Sequence, residues 1–280
     1  MKAPDFAYER PTNLDAALVR MTELGGRAKP LAGGQSLIPT LNLRLQSPEL
    51  LLDIGRLEEL TGIAVGDGAI RLGANTRHRE ILASQLLADA CPLLVKAAAH
   101  VAHPAIRNRG TIGGSVAFAD PAAEFPAVIV ALDATVVTRS VRGERRLPAR
   151  AFYRGLYETA LEADELITAI EIPFLKPDER DGFCELARRA GDYAMIGLAG
   201  RGAYRQGRFQ SLSLAFFPAG DRPFLAEMTA AAIVNGASVE EAKATLVRQL
   251  PPFADLNASA ATRRRLAGVV LARVLAEITQ

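Results

Sequence analysis

Cysteine is nearly missing from these 280 residues: Cys91 and Cys184 stand far apart, with no histidine cluster near either. An iron–sulfur cluster typically takes about four cysteine ligands and a structural zinc about four cysteines or histidines, so this chain alone builds neither. Long apolar runs are missing too, none reaching the ~18 residues that suggest a membrane span. The start, Met1-Lys2-Ala3-Pro4-Asp5, runs straight into Phe6 and Tyr8 with no secretory apolar region. A cytoplasmic protein is therefore expected. Charge of one sign is not in excess: the formal net charge is +2 and the basic residues are scattered, which argues against a nucleic-acid partner. The densest basic stretch, residues 142–150, contains Glu144 and reads as a solvated hairpin. There is no internal repeat, no low-complexity tract, no G-x-G-x-x-G fingerprint and no P-loop. What is there is a globular composition, 49% apolar and 23% charged, long enough for two or three compact units.

Residues 11–26 carry a helical stripe of Leu14, Ala17, Leu18, Met21 and Leu24, capped by Thr12 or Asn13 and stopped by Gly25-Gly26. A strand over 28–32, a tight turn at 33–36, a helix over 37–45 and a strand over 50–54 complete a β-α-β-helix-β opening. A hairpin through Gly66-Asp67-Gly68 then joins 63–65 to 69–72. Helical stretches follow over 78–87 and 91–101. The segment 103–121, punctuated by Gly, Pro and Asn, is neither periodic helix nor plain strand. Strand is expected over 128–138, and 166–172 alternates like a sheet edge. The polar run Lys176-Pro177-Asp178-Glu179-Arg180-Asp181-Gly182 suits a domain boundary. Beyond it lie a strand meander (183–187, 195–204, 209–217) and two helices (239–250, 260–278).

Two segments carry the chemistry: Ala32-Gly33-Gly34-Gln35-Ser36 and Thr111-Ile112-Gly113-Gly114-Ser115. Each pairs two glycines with a hydroxyl residue. Glycine lets backbone N–H groups converge on an anion, because no Cβ blocks the approach and positive φ is free. Ser36 and Ser115 add hydroxyls, and a helix starting after Ser36 adds its positive end. One such loop alone is most simply a turn; two together suit the diphosphate of a dinucleotide. Arg107-Asn108-Arg109-Gly110 leads into the second loop, and Asp120-Pro121-Ala122-Ala123-Glu124 follows with carboxylates able to accept from ribose or ribityl hydroxyls.

Ala32 through Pro39, Ile106 through Ser115, Ala119 through Glu124, Glu165 through Pro173 and Ala187-Arg188-Arg189-Ala190-Gly191-Asp192-Tyr193-Ala194 occur in an order that resembles the FAD-binding medium subunit of the carbon monoxide dehydrogenase/xanthine dehydrogenase family of molybdenum hydroxylases. The resemblance spans the whole chain. It implies an α+β fold: a two-part FAD-binding domain of the vanillyl-alcohol-oxidase/PCMH type over 1–176, with subdomains of about 1–55 and 56–176. A C-terminal medium-subunit domain over 177–280 would hold a three-stranded antiparallel sheet and helices. It implies non-covalent FAD, its diphosphate held by the two glycine loops, Glu124 at an acidic contact, Ile167 on the adenine side and Tyr193 beside the isoalloxazine. Tyr193 also reads as a surface tyrosine in a turn. Some relatives carry a cofactor-contacting lysine near position 185; here the residue is Glu185, and that role does not carry over.

No metal site and no acid–base or nucleophile constellation for substrate chemistry is apparent. His100 and His103 are three apart, but Pro104 disfavours helix at His103, so structural or surface roles are expected. Cys184 reads as a small buried residue; Lys29 reaches a phosphate or caps a strand in solvent; Arg188 and Arg189 alternate, so at most one faces a cofactor. The resemblance supplies the electron source: a large subunit with the molybdenum cofactor, a small subunit with [2Fe–2S] clusters, and this chain passing electrons from FAD to an external acceptor in a dimer of heterotrimers. The alternative is a self-sufficient FAD-dependent oxidase or reductase.

Overall fold

The computed structural model describes residues 2–66 and 68–280; Met1 and Asp67, the latter in the expected hairpin turn, lie outside the described residues. The chain opens with β1 (Ala7–Glu9), α1 (Leu14–Leu24), β2 (Ala28–Leu31), α2 (Leu37–Asn42) and β3 (Leu50–Asp53). Local chemistry sets α1: the Asn13 side chain accepts from the Ala16 N–H at 2.8 Å, and Gly25 at φ 55° ends the helix. Leu14, Ala17, Leu18 and Met21 are its buried face. The strands run parallel in the order β1-β3-β2, with α1 and α2 crossing between them.

The second part comprises β4 (Ile63–Gly66), β5 (Ala69–Gly73), α3 (His78–Ala83), α4 (Gln85–Ala90), α5 (Pro92–His100), α6 (Pro104–Arg107), α7 (Ile112–Phe118) and α8 (Glu124–Ala131). It continues with β6 (Thr135–Ser140), β7 (Gly143–Pro148), α9 (Ala149–Phe152), β8 (Tyr153–Gly155), β9 (Glu158–Thr159) and β10 (Leu166–Pro173). Its sheet is antiparallel in the order β4-β5-β10-β6-β7. Three expectations are corrected here. The strand expected from 128 begins only at Thr135, because 124–131 is helical. Every residue from Phe125 to Ala131 is buried, so the segment has no polar face whose period could tell helix from strand. Burying Phe125, Val128, Ile129 and Val130 is worth roughly 1.5–3 kcal/mol each, which overrides a β-propensity scale spanning ~1 kcal/mol. Pro126 falls in the first turn, where its missing N–H costs nothing. Second, β10 is the central strand, flanked by β5 and β6, and not an edge. Third, the punctuated segment 103–121 holds the short helices α6 and α7.

The remainder is β11 (Glu179–Leu186), β12 (Ile196–Arg205), β13 (Arg208–Phe217), β14 (Phe224–Leu225), α10 (Glu227–Val234), α11 (Val239–Gln249) and α12 (Ala260–Ile278). The expected three-stranded sheet has a fourth member, the two-residue β14, and α10 was not anticipated either. Strand alternation gives this sheet two apolar faces. Leu198, Leu214 and Phe216 join Val270, Leu271 and Val274 of α12, whereas Phe183, Ala199, Ala215 and Phe217 join the cluster built around α5 and α8. A buried ion pair reinforces that second contact. Arg201 Nε donates to Asp181 Oδ1 at 2.7 Å, and Lys96 of α5 donates to the Asp181 carbonyl at 2.9 Å.

Candidate cofactor site

The first glycine loop leaves β2 and enters α2. Gly34 sits at φ 72°, where a side chain would be strained. The Gln35 side-chain amide donates back to the Gly33 carbonyl at 3.0 Å, closing the loop on itself. Among the described residues, the N–H groups of Gly33, Gly34, Gln35, Ser36 and Leu37 donate to no protein acceptor; the next one, Ile38, bonds the Gly34 carbonyl at 3.2 Å. Ser36 occupies the N-cap position of α2 without a capping bond, so its hydroxyl is also uncommitted. These loop residues are half-exposed, so the run of open backbone donors is free to hydrogen-bond water or an anionic ligand in the cleft.

The second loop is built differently. Thr111 is the N-cap of α7, its Oγ1 accepting from the Gly114 N–H at 3.1 Å. Ile112 N–H donates to the Thr76 carbonyl at 3.0 Å and Gly113 N–H to the Ala74 carbonyl at 2.8 Å. Neither Gly113 nor Gly114 has positive φ. The expectation that these amides converge on an anion is therefore corrected: they are already spent inside the protein. Close approach is what the glycines serve. A Cβ on Gly113 would lie 2.6 Å from Ala74 Cβ, and one on Gly33 would lie 2.2 Å from the Arg109 carbonyl oxygen, so the two loops interlock. The second loop still offers the Thr111 and Ser115 hydroxyls and the positive end of α7.

Both loops line one cleft of about 720 Å³, within the range of small-molecule and cofactor sites. Ala32, Gly33, Gly34, Gln35, Ser36, Thr111, Gly113, Gly114, Ser115, Glu124, Ile167 and Tyr193 all face it; Ile112 does not, its side chain lying in the core. Ile167 stands at an irregularity in the β10–β6 pairing. Lys29 and His103 line the cleft as well, while His100, Cys184, Arg188 and Arg189 do not. Arg188 instead donates to the Asn257 carbonyl. Asp120 is occupied locally, accepting from the Ala122 N–H at 2.9 Å and from the Tyr193 hydroxyl at 3.1 Å.

Gln46, Asn75, His78 and Tyr157 also line the cleft and were not anticipated from the sequence. Gln46 Oε1, Asn75 Oδ1 and His78 Nδ1 are buried without a hydrogen-bond partner, unmet polarity that suits a ligand rich in donors and acceptors. Tyr157, in the β8–β9 turn, lies edge-on to Phe118 with ring centroids 5.1 Å apart. The only sequence signal for His78 and Asn75 was their place just beyond a strand ending in glycine, Leu72-Gly73-Ala74-Asn75. Burial, then the charge of Arg107, pushes His78 down to about 4, so this ring is neutral at physiological pH. Burial, then repulsion from Asp120, pushes Glu124 up to about 7.

An interlocked pair of glycine loops at the wall of a cleft lined by uncommitted polar groups suits a dinucleotide-binding protein. The family described as "FAD binding domain in molybdopterin dehydrogenase" matches residues 4–175, and "CO dehydrogenase flavoprotein C-terminal domain" matches residues 181–278. The "Glyceraldehyde dehydrogenase medium chain" of Sulfolobus acidocaldarius is 34% identical over 282 residues, covering 99% of this chain and 100% of that one. The "6-hydroxypseudooxynicotine dehydrogenase complex subunit alpha" of Paenarthrobacter nicotinovorans is 44% identical over 199 residues, 71% of this chain and 67% of that one. Among solved structures, a carbon monoxide dehydrogenase from Hydrogenophaga pseudoflava superposes with a TM-score of 0.96 at 33% identity, covering 99% of this chain and 98% of that one. The chain belongs to the family of FAD-binding subunits of molybdenum-containing dehydrogenases, an oxidoreductase family whose cofactor is FAD. Among the described residues, no helix is long and apolar enough to cross a membrane.

Proposed function

We propose that this chain is the electron-transferring medium subunit of a molybdenum hydroxylase, taking electrons from the [2Fe–2S] clusters of a small partner and passing them to an external acceptor. A large partner carries the molybdenum cofactor and the substrate, and the assembly is a dimer of heterotrimers. The observation that carries the reading is the first glycine loop, with its consecutive uncommitted N–H groups opening on the cleft. Among the described residues no group of three or more His, Cys, Asp or Glu is placed to hold a metal. The names of the relatives point to several different substrates on similar medium chains, which fits substrate chemistry residing elsewhere in the complex.

Bound FAD supplies a centre that takes up electrons singly and gives them up in pairs. The chain holds and orients it. The loop amides of Gly33 to Leu37 and the Ser36 hydroxyl hold the diphosphate, aided by the hydroxyls of Thr111 and Ser115. Ile167 forms the apolar wall on the adenine side, Tyr193 the aromatic wall of the isoalloxazine, and Glu124 an acidic contact. On this reading residues 1–176 form a cofactor domain of the vanillyl-alcohol-oxidase/PCMH type and 177–280 the C-terminal domain.

The test is direct. The purified chain takes up about one FAD, quenching or shifting flavin fluorescence, and acid precipitation releases the flavin. Expressed from its native operon, the chain co-purifies with one large and one small subunit carrying molybdenum and iron. Failure to bind FAD overturns the cofactor assignment. Robust oxidation of an organic substrate by the chain alone overturns the partner assignment in favour of a self-sufficient flavoenzyme.

A further inference from the structure

The segment 187–195 joins β11 to β12 and forms part of the cleft wall through Gly191, Asp192 and Tyr193. It has no helix or strand of its own. A backbone bond closes its base, Met195 N–H donating to the Leu186 carbonyl at 2.8 Å, and a turn bond from Asp192 N–H to the Arg189 carbonyl at 3.2 Å lies inside it. On the cleft side its ties are few. The Tyr193 hydroxyl donates to Asp120 Oδ2 at 3.1 Å, from a residue that is 61% exposed. Gly191, at φ 86°, sits against Ala102 and His103, where a Cβ would come within 2.6 Å of the His103 ring. One hydrogen bond from an exposed ring does not hold an irregular loop of this length in one place against its backbone entropy.

The restraint comes from the other side, from the turn between α11 and α12. Arg188 Nη2 donates to the Asn257 carbonyl at 3.0 Å. Arg263, near the start of α12, has a side chain only 1% exposed, and its Nε donates to the Met195 carbonyl at 2.7 Å. The rest of the same guanidinium organises the turn. Nη1 donates to the Ala258 carbonyl at 3.1 Å, Nη2 pairs with Asp255 Oδ1 at 2.7 Å, and the group lies over the Phe253 ring, 4.6 Å from its centroid. Asp255 Oδ1 accepts in turn from the N–H groups of Asn257 at 2.8 Å and Ala258 at 3.1 Å. A planar fork of five donors holds several fixed acceptors at once, which an ammonium group does not. The two arginines therefore grip the loop on either side of Gly191 and Tyr193, one before them and one after.

We propose that Arg188 and Arg263 are positioning residues for the cofactor site, and that the turn 253–258 is the buttress that sets where Tyr193 stands in the cleft wall. The proposal rests on the reading that FAD occupies the cleft. An aromatic wall acts only in close contact with the ring it covers, and a gap of about 1 Å forfeits roughly half of the dispersion attraction. With the loop anchored at Arg188 and at Met195, the Asp120 bond has only the Tyr193 side chain left to order. Neither arginine lines the cleft, so both act through the loop and not on the cofactor itself. A buried guanidinium is costly beside an apolar side chain of the same volume. What it adds here is register, because one group fixes the Met195 carbonyl and the turn to each other.

The experiment places 3-fluorotyrosine at position 193 of the full chain and records its fluorine NMR spectrum, first without FAD and then with it. The FAD-free wild type gives one narrow resonance, displaced from that of D120A, whose ring has lost its acceptor. R188A, a change at an exposed residue, moves the resonance to the D120A position or broadens it, and leaves the urea midpoint unchanged. It also releases bound FAD about tenfold faster, the size of one lost hydrogen bond from a charged donor. R188K, which still offers one donor to the Asn257 carbonyl, restores part of the narrow line. R189A removes the same charge one residue on and leaves the spectrum as in the wild type. R263K keeps the charge without the fork and frees the ring likewise; should it fail to fold, R188A decides alone. The narrow line is read without cofactor, so a wild-type spectrum that FAD leaves unmoved overturns the cofactor reading, and the buttress is judged separately on the FAD-free lines. A narrow, unshifted line in a folded R188A overturns the buttress, whether or not the urea midpoint falls, and so does equal broadening in R189A.

Discussion

Replacing Gly33 by alanine tests the interlock of the two loops on which the cofactor site depends. The added Cβ would lie 2.2 Å from the Arg109 carbonyl oxygen, 2.8 Å from its carbon and 2.9 Å from Gly110 Cα. All three are backbone atoms, so no side chain can swing aside, and the loops must part by about an ångström to reach ordinary contact. Overpacking of that kind costs roughly 1–3 kcal/mol of stability. Ligand binding suffers more. Moving the loop shifts the uncommitted N–H groups of Gly33 to Leu37 relative to Thr111 and Ser115 across the cleft. Losing two hydrogen bonds to a charged diphosphate, at about 1.5–3 kcal/mol each, weakens FAD binding by roughly two to four orders of magnitude. Gly66→Ala is the control, since a Cβ there meets nothing within 4 Å and the residue has no positive φ. Gly68, at φ 78°, would add backbone strain of its own. Flavin fluorescence titration gives the affinity, and urea denaturation followed by circular dichroism gives the stability. A Gly33→Ala chain that stays folded and binds FAD as tightly as wild type refutes the assignment of the first loop to the diphosphate.

Asp181→Ala strands the Arg201 guanidinium, whose side chain is 8% exposed, and removes the acceptor of the Leu93 N–H; unfolding in urea should show a loss of about 3–5 kcal/mol. Thr111→Val deletes the cap that accepts from Gly114 N–H and lowers stability by about 0.5–2 kcal/mol, with weaker FAD binding as the accompanying readout. Glu185 stands at about 8 in the folded chain against an ordinary 4.5, so the folded state holds a proton that the unfolded state has given up. The stability of the cofactor-free chain should therefore fall as pH rises through that window, and E185Q should flatten the fall in a urea-midpoint series against pH. A wild-type profile as flat as that of the variant would show that the carboxyl ionises freely.

How much of this was legible in the sequence depends on how far each property is settled by neighbours along the chain. The glycine–hydroxyl loops were legible because their composition is local, and so were the α1 stripe and the paired strands of the C-terminal sheet. What each loop does was not. Thr111 to Ser115 looks at least as good an anion cradle as Ala32 to Ser36, yet the Ile112 and Gly113 amides are consumed by the carbonyls of Thr76 and Ala74, from a segment far upstream, and those of Gly114 and Ser115 by Thr111 itself. The same limit explains α8, where uniform burial between a sheet and other helices erased the period that would have marked a helix. It explains β10 too, since alternation cannot reveal whether a strand has one neighbour or two. Glu185 is the sharpest case. In sequence it is a charged residue in a strand, where solvent is the default expectation, and only the docking of β11 against α5 removes the water from around it. A carboxylate that loses its water through tertiary packing alone, and gains no cation in exchange, can be recognised only in the fold.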